Sequence, residues 1–173
     1  MSLAKMSNEQ TDLAREVVEL GLKRGATLST AESCTGGLVC GALTAISGSS
    51  AVVRGGIVSY DPQVKHDVLG VSTEVISDPL RGVVSSDCAL QMCQGAARVL
   101  KSDVSVSITG IAGPTGAEEG KPVGTVWFGL FMGGHAKTEL HHFDGDREAV
   151  RHQAVCRALC LLREGIEGLS SRT

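Results

Sequence analysis

Between Leu28 and Leu38 the chain reads Leu-Ser-Thr-Ala-Glu-Ser-Cys-Thr-Gly-Gly-Leu, a strand-like run that breaks at a tight polar turn and reopens as a helix. A strand delivered this abruptly into a helix belongs to a sheet covered by helices, which restricts the chain to the α/β classes. Such a turn is also a place where a nucleophile can be activated. A Ser33 hydroxyl there lies at the positive end of a helix, and the N–H groups from Cys34 to Gly37 can hold a developing oxyanion. Gly36 and Gly37 let a substrate approach the main chain closely. A plain N-cap by Ser33 or Thr35 fits the same residues, so the local sequence leaves both readings open.

The rest of the chain extends this pattern. Ser7-Asn8-Glu9-Gln10 has the form of a capping box, and Leu13, Val17, Val18, Leu20 and Leu22 continue at helical spacing up to Gly25, a C-cap. A strand is expected over 27–31, a helix over 36–46, a strand over 52–60, and short helices over 63–69 and 72–76. Ser85-Ser86-Asp87 caps a longer helix that runs to Leu100. Residues 104–109 alternate with period two, as a strand with one polar face does. Gly133-Gly134 between 123–132 and 136–142 signals a hairpin, and a last helix spans 146–168 with Val150, Ala154, Ala158, Leu161 and Leu162 inward. Helices between the early strands and a late hairpin give a three-layer α/β/α domain with a mixed, mostly parallel sheet. One domain over 1–173 is expected, with 1–7 as a flexible tail.

Composition removes several functional classes. With 173 residues and 42% hydrophobic content the chain is long enough for a substantial core. A net charge of −3 and 3% aromatic residues leave neither a basic surface nor stacking rings, so no nucleic-acid partner is expected. No run approaches the roughly 18 apolar residues of a membrane span, and residues 1–10 are polar, unlike a signal peptide, so no membrane partner and a cytoplasmic location are expected. The six cysteines, Cys34, Cys40, Cys88, Cys93, Cys156 and Cys160, sit within apolar patterns and read as small buried hydrophobes. Cys156 and Cys160 are one helical turn apart, but nothing in their neighbourhood in the sequence completes a ligand set, and neither metal nor organic cofactor is expected. The late hairpin leaves an edge that can pair across a two-fold axis, which makes a homo-oligomer the expected assembly.

The glycine spacing after residue 109 forms a loop leaving a strand. Thr109, Gly110, Ala112 and Gly113 are its substrate-side candidates, able to turn successive N–H groups toward a phosphate or ribose, although tight turns use the same pattern. Lys121 and Arg147 are phosphate partners by charge, and Thr30 and Thr35 are side-chain donors at the same rim. Glu32 is either structural or favours a cationic ring. No Ser-His-Asp set is present, so a serine nucleophile in this chain needs another base. A lysine serves if it is neutral; holding half of one neutral at pH 7 takes roughly 4 kcal/mol of differential interaction, which burial must supply.

Four segments taken together carry a resemblance: Ala31-Glu32-Ser33-Cys34-Thr35-Gly36-Gly37; Gly55 to Tyr60 followed by Lys65; Ser107 to Gly116 with Lys121 to Val126; and Gly145-Asp146-Arg147. Over nearly the whole chain, from about Leu22 to Glu167, the sequence resembles the CinA C-terminal domain family, the nicotinamide-nucleotide amidases. The resemblance implies hydrolysis of the carboxamide of nicotinamide mononucleotide to nicotinate mononucleotide and ammonia, with this small molecule as the partner. It implies Ser33 as nucleophile and Tyr60 and Lys65 as its activating partners, with Tyr60 either relaying a proton or positioning the leaving ammonia. It also implies the stand-alone form of the domain. Cys34, Thr35 and Gly36 are the oxyanion-side residues of this reading. A non-catalytic nucleotide-binding module of the same fold is the rival reading. Where members usually carry Asp after the Gly-Pro pair this chain has Thr115, followed by Ala117-Glu118-Glu119, so loop contacts to substrate are expected to differ.

Overall fold

The computed structural model describes residues 7–170. Helix α1 (Asn8–Arg24) starts at its capping box: Ser7 Oγ accepts the Gln10 N–H at 3.2 Å, Gln10 Oε1 accepts the Ser7 N–H, and Gly25 closes the far end. Of the expected tail, residues 1–6 lie outside the described residues and Ser7 is this cap. The chain continues through β1 (Leu28–Glu32), α2 (Leu38–Thr44), β2 (Val53–Val58), α3 (Pro62–Asp67), α4 (Thr73–Ile76), α5 (Ser86–Leu100), β3 (Val104–Gly110), β4 (Thr125–Met132), β5 (His135–His142) and α6 (Arg147–Glu167). Each expected element is present. The main shift is in α2, which begins at Leu38 instead of 36 because Gly36 and Gly37 both hold positive φ.

The five strands are ordered β2-β1-β3-β4-β5. β1 pairs in parallel with both β2 and β3, while β3–β4 and β4–β5 are antiparallel, so only β4 runs against the other strands. Gly133 and Gly134, both at positive φ, make the two-residue turn of the late hairpin. Helices α1, α2 and α6 cover one face, where Val17, Leu43 and Leu159 meet Leu28, Val106 and Phe128. Helix α5 covers the other face with a smaller cluster that includes Ala31, Leu69, Cys88 and Met92. The result is the three-layer arrangement. No helix among the described residues is long and apolar enough to cross a membrane.

The period-two pattern of β3 is real, but its polar side does not face water. Ser105 and Ser107 are fully buried beneath α5, and Ser107 Oγ donates to the Ala89 carbonyl at 2.6 Å. Both serines are small enough to let the helix approach the sheet closely, but only the Ser107 hydroxyl finds a helical carbonyl; Ser105 Oγ is buried without a hydrogen-bond partner among the described residues.

A similar close contact fixes the segment after α3. Gly95 of α5 packs against the Leu69 carbonyl so tightly that an added Cβ would lie 2.0 Å from that oxygen and 2.8 Å from its carbon. Arg98 Nη2 donates to the same carbonyl at 3.0 Å. Neither backbone can move without moving its element, so Gly95→Ala should cost at least the ~1–3 kcal/mol of an overpacked core. The midpoint of thermal unfolding should fall by roughly 2–4 °C for each kcal/mol lost. A melt that superimposes on wild type would show that this contact does not hold α3 in place.

Candidate active site

The turn after β1 is organised by Glu32. Its carboxylate is 0% exposed and accepts five hydrogen bonds: from Thr30 Oγ1 at 3.1 Å, Thr35 Oγ1 at 2.7 Å, and the N–H groups of Gly37 at 3.0 Å, Val39 at 3.1 Å and Cys40 at 2.9 Å. The positive end of α2 is therefore neutralised by a side chain from the preceding strand. This corrects four expectations. Neither Ser33 nor Thr35 is the helix cap. The Thr30 and Thr35 side chains are buried against Glu32 and are not at a rim. Glu32 is structural and cannot reach a cationic ring. Gly36 and Gly37 donate their N–H groups internally, to the Ser33 carbonyl at 3.1 Å and to Glu32. Among the described residues no main-chain or carboxylate acceptor takes the N–H groups of Cys34 and Thr35. The Cys34 N–H turns to its own sulfur.

Ser33 itself is pinned to the sheet, its N–H donating to the Ile108 carbonyl at 2.9 Å. Its hydroxyl oxygen lies 3.0 Å from Nζ of Lys65, which enters from α3. Asp61 N-caps that helix, accepting the Gln63 N–H at 2.7 Å, and Pro62 occupies the first turn, so Lys65 is one helical turn inside the cap. Lys65 is 1% exposed, among the largest fully buried side chains of the described residues, and Nζ also donates to the Ser59 carbonyl at 2.5 Å. No ion pair among the described residues includes it. Burial pushes its amine below the ordinary lysine value, while the Cys88 and Cys34 thiols and Asp61 act weakly in the opposite direction. The Cys34 thiol, buried beside the turn, is pushed up to about 11, chiefly by desolvation, and stays protonated at neutral pH. The nucleophilic side chain beside Lys65 Nζ is the Ser33 hydroxyl.

Tyr60 does not join this pair. It is 63% exposed, with its hydroxyl 3.5 Å from Arg147 Nη2, and none of the hydrogen bonds of the described residues links it to Ser33 or Lys65. It lies two residues past the end of β2, where the chain turns outward into the α3 cap. Arg147, at the start of α6, also donates to the Gly113 carbonyl at 2.9 Å and borders a cavity of about 550 Å³ lined by Ala112, Pro114, Val123, Gly145, Asp146 and Glu148. One turn further along α6, Arg151 donates to the carbonyls of Cys34 at 3.0 Å and Thr35 at 3.2 Å. Sequence reasoning missed Arg151; its i, i+4 spacing from Arg147 was the available signal. Thr109 is buried, its hydroxyl donating to the Val83 carbonyl at 2.6 Å, so it anchors the loop from beneath. Gly110 and Gly113 permit close chain contacts: an added Cβ would meet the Thr125 carbonyl at 2.7 Å and Val123 Cγ1 at 2.5 Å. Lys121 is also a loop fastener, donating to the Arg81 carbonyl at 2.7 Å and pairing with Glu118 at 3.2 Å, and it lines a different cavity, with Arg81 and Trp127.

The model of the CinA C-terminal domain matches residues 10–166. The chain belongs to the CinA C-terminal domain family. It is 44% identical over 153 residues to the nicotinamide-nucleotide amidohydrolase PncC of Escherichia coli strain K12, covering 88% of this chain and 92% of that protein. It is 41% identical over 160 residues to a CinA-like protein of Dictyoglomus turgidum, covering 92% of this chain but spanning 38% of that longer protein. Among solved structures, competence damage-inducible protein A from Klebsiella pneumoniae superposes with a TM-score of 0.89 at 36% identity, covering 94% of this chain and 100% of that one. The competence/damage inducible protein CihA from Agrobacterium tumefaciens gives 0.86 at 41% identity, covering 94% and 97%. The family thus includes curated amidohydrolases. Thr115 and Ala117-Glu118-Glu119, where a departure from the family pattern is expected, all lie on exposed loop.

All six cysteines are free, and Cys34, Cys88 and Cys93 are buried. The expectation that nothing completes a ligand set near Cys156 is corrected. His152, one turn earlier on α6, and Glu9, from the first turn of α1, place one ligand atom each within 4.8 Å of one another and of the Cys156 sulfur. Helix packing joins groups that the sequence holds far apart.

Two expectations follow for this CinA domain. Glu32→Gln places an amide N–H₂ among five donors, leaving at least one buried donor unpaired at about 1–3 kcal/mol each, more for a lost charge. The variant should melt lower and lose turnover more than substrate affinity, read from kcat and KM; unchanged values of both would remove Glu32 from its organising position. The second concerns pH. Because the folded Lys65 amine lies below the ordinary value, the unfolded chain holds more protons between the folded value and about pH 10.4, and stability rises with pH across that window. Lys65→Met should therefore be more stable than wild type at neutral pH in urea titrations, with the gap closing toward pH 10. A gap independent of pH would mean that Lys65 is buried with its charge compensated.

Proposed function

We propose that this chain hydrolyses the carboxamide of nicotinamide mononucleotide to nicotinate mononucleotide and ammonia through an acyl-enzyme on Ser33. The observation that carries the reading is a fully buried lysine without an ion-pair partner, 3.0 Å from a serine oxygen on a turn whose Cys34 and Thr35 N–H groups meet no main-chain or carboxylate acceptor among the described residues. A neutral amine has two N–H donors and one lone pair. With Ser59 taking one N–H, the lone pair accepts the Ser33 hydroxyl proton. As Oγ bonds to the carboxamide carbon, that proton passes to Nζ and the new oxyanion is held by the N–H groups of Cys34 and Thr35. The tetrahedral species collapses by breaking the C–N bond, Lys65 returns the proton to the leaving nitrogen, and ammonia departs. Water then attacks the acyl carbon, giving one proton to Lys65, which restores it to Ser33 Oγ as the ester C–O bond breaks; the carboxylic acid released loses its remaining proton to solvent. No step needs a metal or an organic cofactor.

Arg147 and Tyr60 act on the substrate side in this reading. Arg147 borders a cavity of a size that suits a small nucleotide, and its remaining guanidinium donors suit a phosphate. Tyr60, exposed beside it, meets the nucleotide and takes no part in the serine–lysine relay. The loop from Gly110 to Ala112 and Gly113 forms the opposite wall. Arg151 acts indirectly: by donating to the Cys34 carbonyl it fixes the peptide plane whose other end is the Thr35 N–H.

The test is ammonia release from nicotinamide mononucleotide by purified protein, with EDTA present throughout, beside Ser33→Ala and Lys65→Met. Wild type should release ammonia in proportion to enzyme, Ser33→Ala none above background, and Lys65→Met several orders of magnitude less, without the rise in rate with pH that accompanies lysine deprotonation. A folded wild type that binds the nucleotide without releasing ammonia, or a Ser33→Ala variant with undiminished turnover, would overturn the reading.

A further inference from the structure

We infer that Glu9, His152 and Cys156 form a zinc site that ties the first turn of α1 to α6, on a part of the molecule separate from Ser33 and Lys65. The three side chains come from two elements and bring one oxygen, one nitrogen and one sulfur donor to within 4.8 Å of each other. That mixed set suits a borderline-soft divalent cation of the zinc type and not magnesium or calcium, which take oxygen alone. His152 and Cys156 are four residues apart on α6 and therefore share a face. Ser7 Oγ, already the cap of α1, lies 2.8 Å from His152 Nε2 and fixes the ring's orientation. Two of the three ligands are half-buried and Glu9 is exposed, which leaves an entry path and a fourth position for water. The set is three protein ligands and an open position.

Zinc binding forms the Zn–S bond and breaks the S–H bond of Cys156, the proton leaving to solvent, while the Glu9 carboxylate turns to the cation.

The test uses untagged full-length protein, freed of metal and kept reduced with a phosphine, titrated with cobalt(II) and then with zinc. One equivalent of cobalt should produce a thiolate-to-cobalt charge-transfer band in the near ultraviolet, and zinc should bleach it. Cys156→Ser should abolish the band, and Glu9→Gln, exposed and thus neutral for folding, should weaken cobalt binding at least tenfold. Cys40→Ser, on α2 and outside the cluster, should leave the band unchanged. The inference is overturned if wild type gives no thiolate band, if the band survives Cys156→Ser, or if Glu9→Gln binds as tightly as wild type. Because the readout is spectroscopic, the result stands apart from the amidase reading.

Discussion

A single buried carboxylate sets the geometry on which the site depends. A charge in a 0% exposed position is tolerated only if its lone pairs are filled, and Glu32 fills them with two hydroxyls and three main-chain N–H groups in place of a cation. The donors come from the strand itself (Thr30), from the turn (Thr35 and Gly37) and from the first residues of α2 (Val39 and Cys40). The turn between, carrying Ser33, Cys34 and Thr35, therefore has both ends fixed. α2 is neutralised from below, so in the proposed reaction the oxyanion falls to the N–H groups of Cys34 and Thr35, and Arg151 holds the peptide plane of the second through the Cys34 carbonyl.

Lys65 poses the opposite problem. Its stem lies in an apolar pocket beside Cys88 and Cys34, and burying the ammonium there would leave a charge without a counterion. The structure offers it only two oxygens, the Ser59 carbonyl and Ser33 Oγ. The arrangement favours the neutral amine, at a stability penalty that grows as the pH falls. Side chains held in a destabilising form at a site commonly mark chemistry, because a better-packed residue would otherwise occupy the position. The rigid seat needed to impose this form comes from elsewhere in the fold, since the Gly95–Leu69 contact and the Asp61 cap fix α3 at both ends.

Most of the fold was legible because its signals are local. Ser7 with Gln10, Gly25, Ser85 and Gly133-Gly134 each act within four residues of themselves, and the period of the apolar pattern distinguishes helix from strand without tertiary information. The covered face of β3 was not legible, since Ser105 and Ser107 alternate in the same way whether water or α5 lies above them. In the site, Ser33 and Lys65 were reachable from the family resemblance together with the lack of a histidine set. Glu32 was not, because the donors that reach its carboxylate depend on how the Gly36-Gly37 turn folds back on it. Arg151, and the meeting of Glu9 with His152 and Cys156, depend on how α6 packs against elements from the start of the chain, which no local pattern encodes. Tyr60 was misplaced for a related reason: sequence gives its position beside β2 but not that its side chain turns toward α6.

The two halves of the site rest on different kinds of structure. The serine, lysine and oxyanion donors are held by buried strand ends and short capped helices, where a changed volume or charge is felt at once. The substrate side is built from exposed loop and the first turns of α6, and there the departure expected from the family pattern, at Thr115 and Ala117-Glu118-Glu119, disturbs no buried contact. Divergence in such a loop alters what is held while leaving how a bond is broken untouched. One element spans both halves: Arg147 reaches Tyr60 and the Gly113 carbonyl, and Arg151, on the same face one turn later, reaches the carbonyls of Cys34 and Thr35. The placement of α6 against the sheet thereby sets the distance between the loop that would hold a nucleotide and the turn that would attack it. A shift of that helix would misalign the two halves even with every catalytic side chain intact.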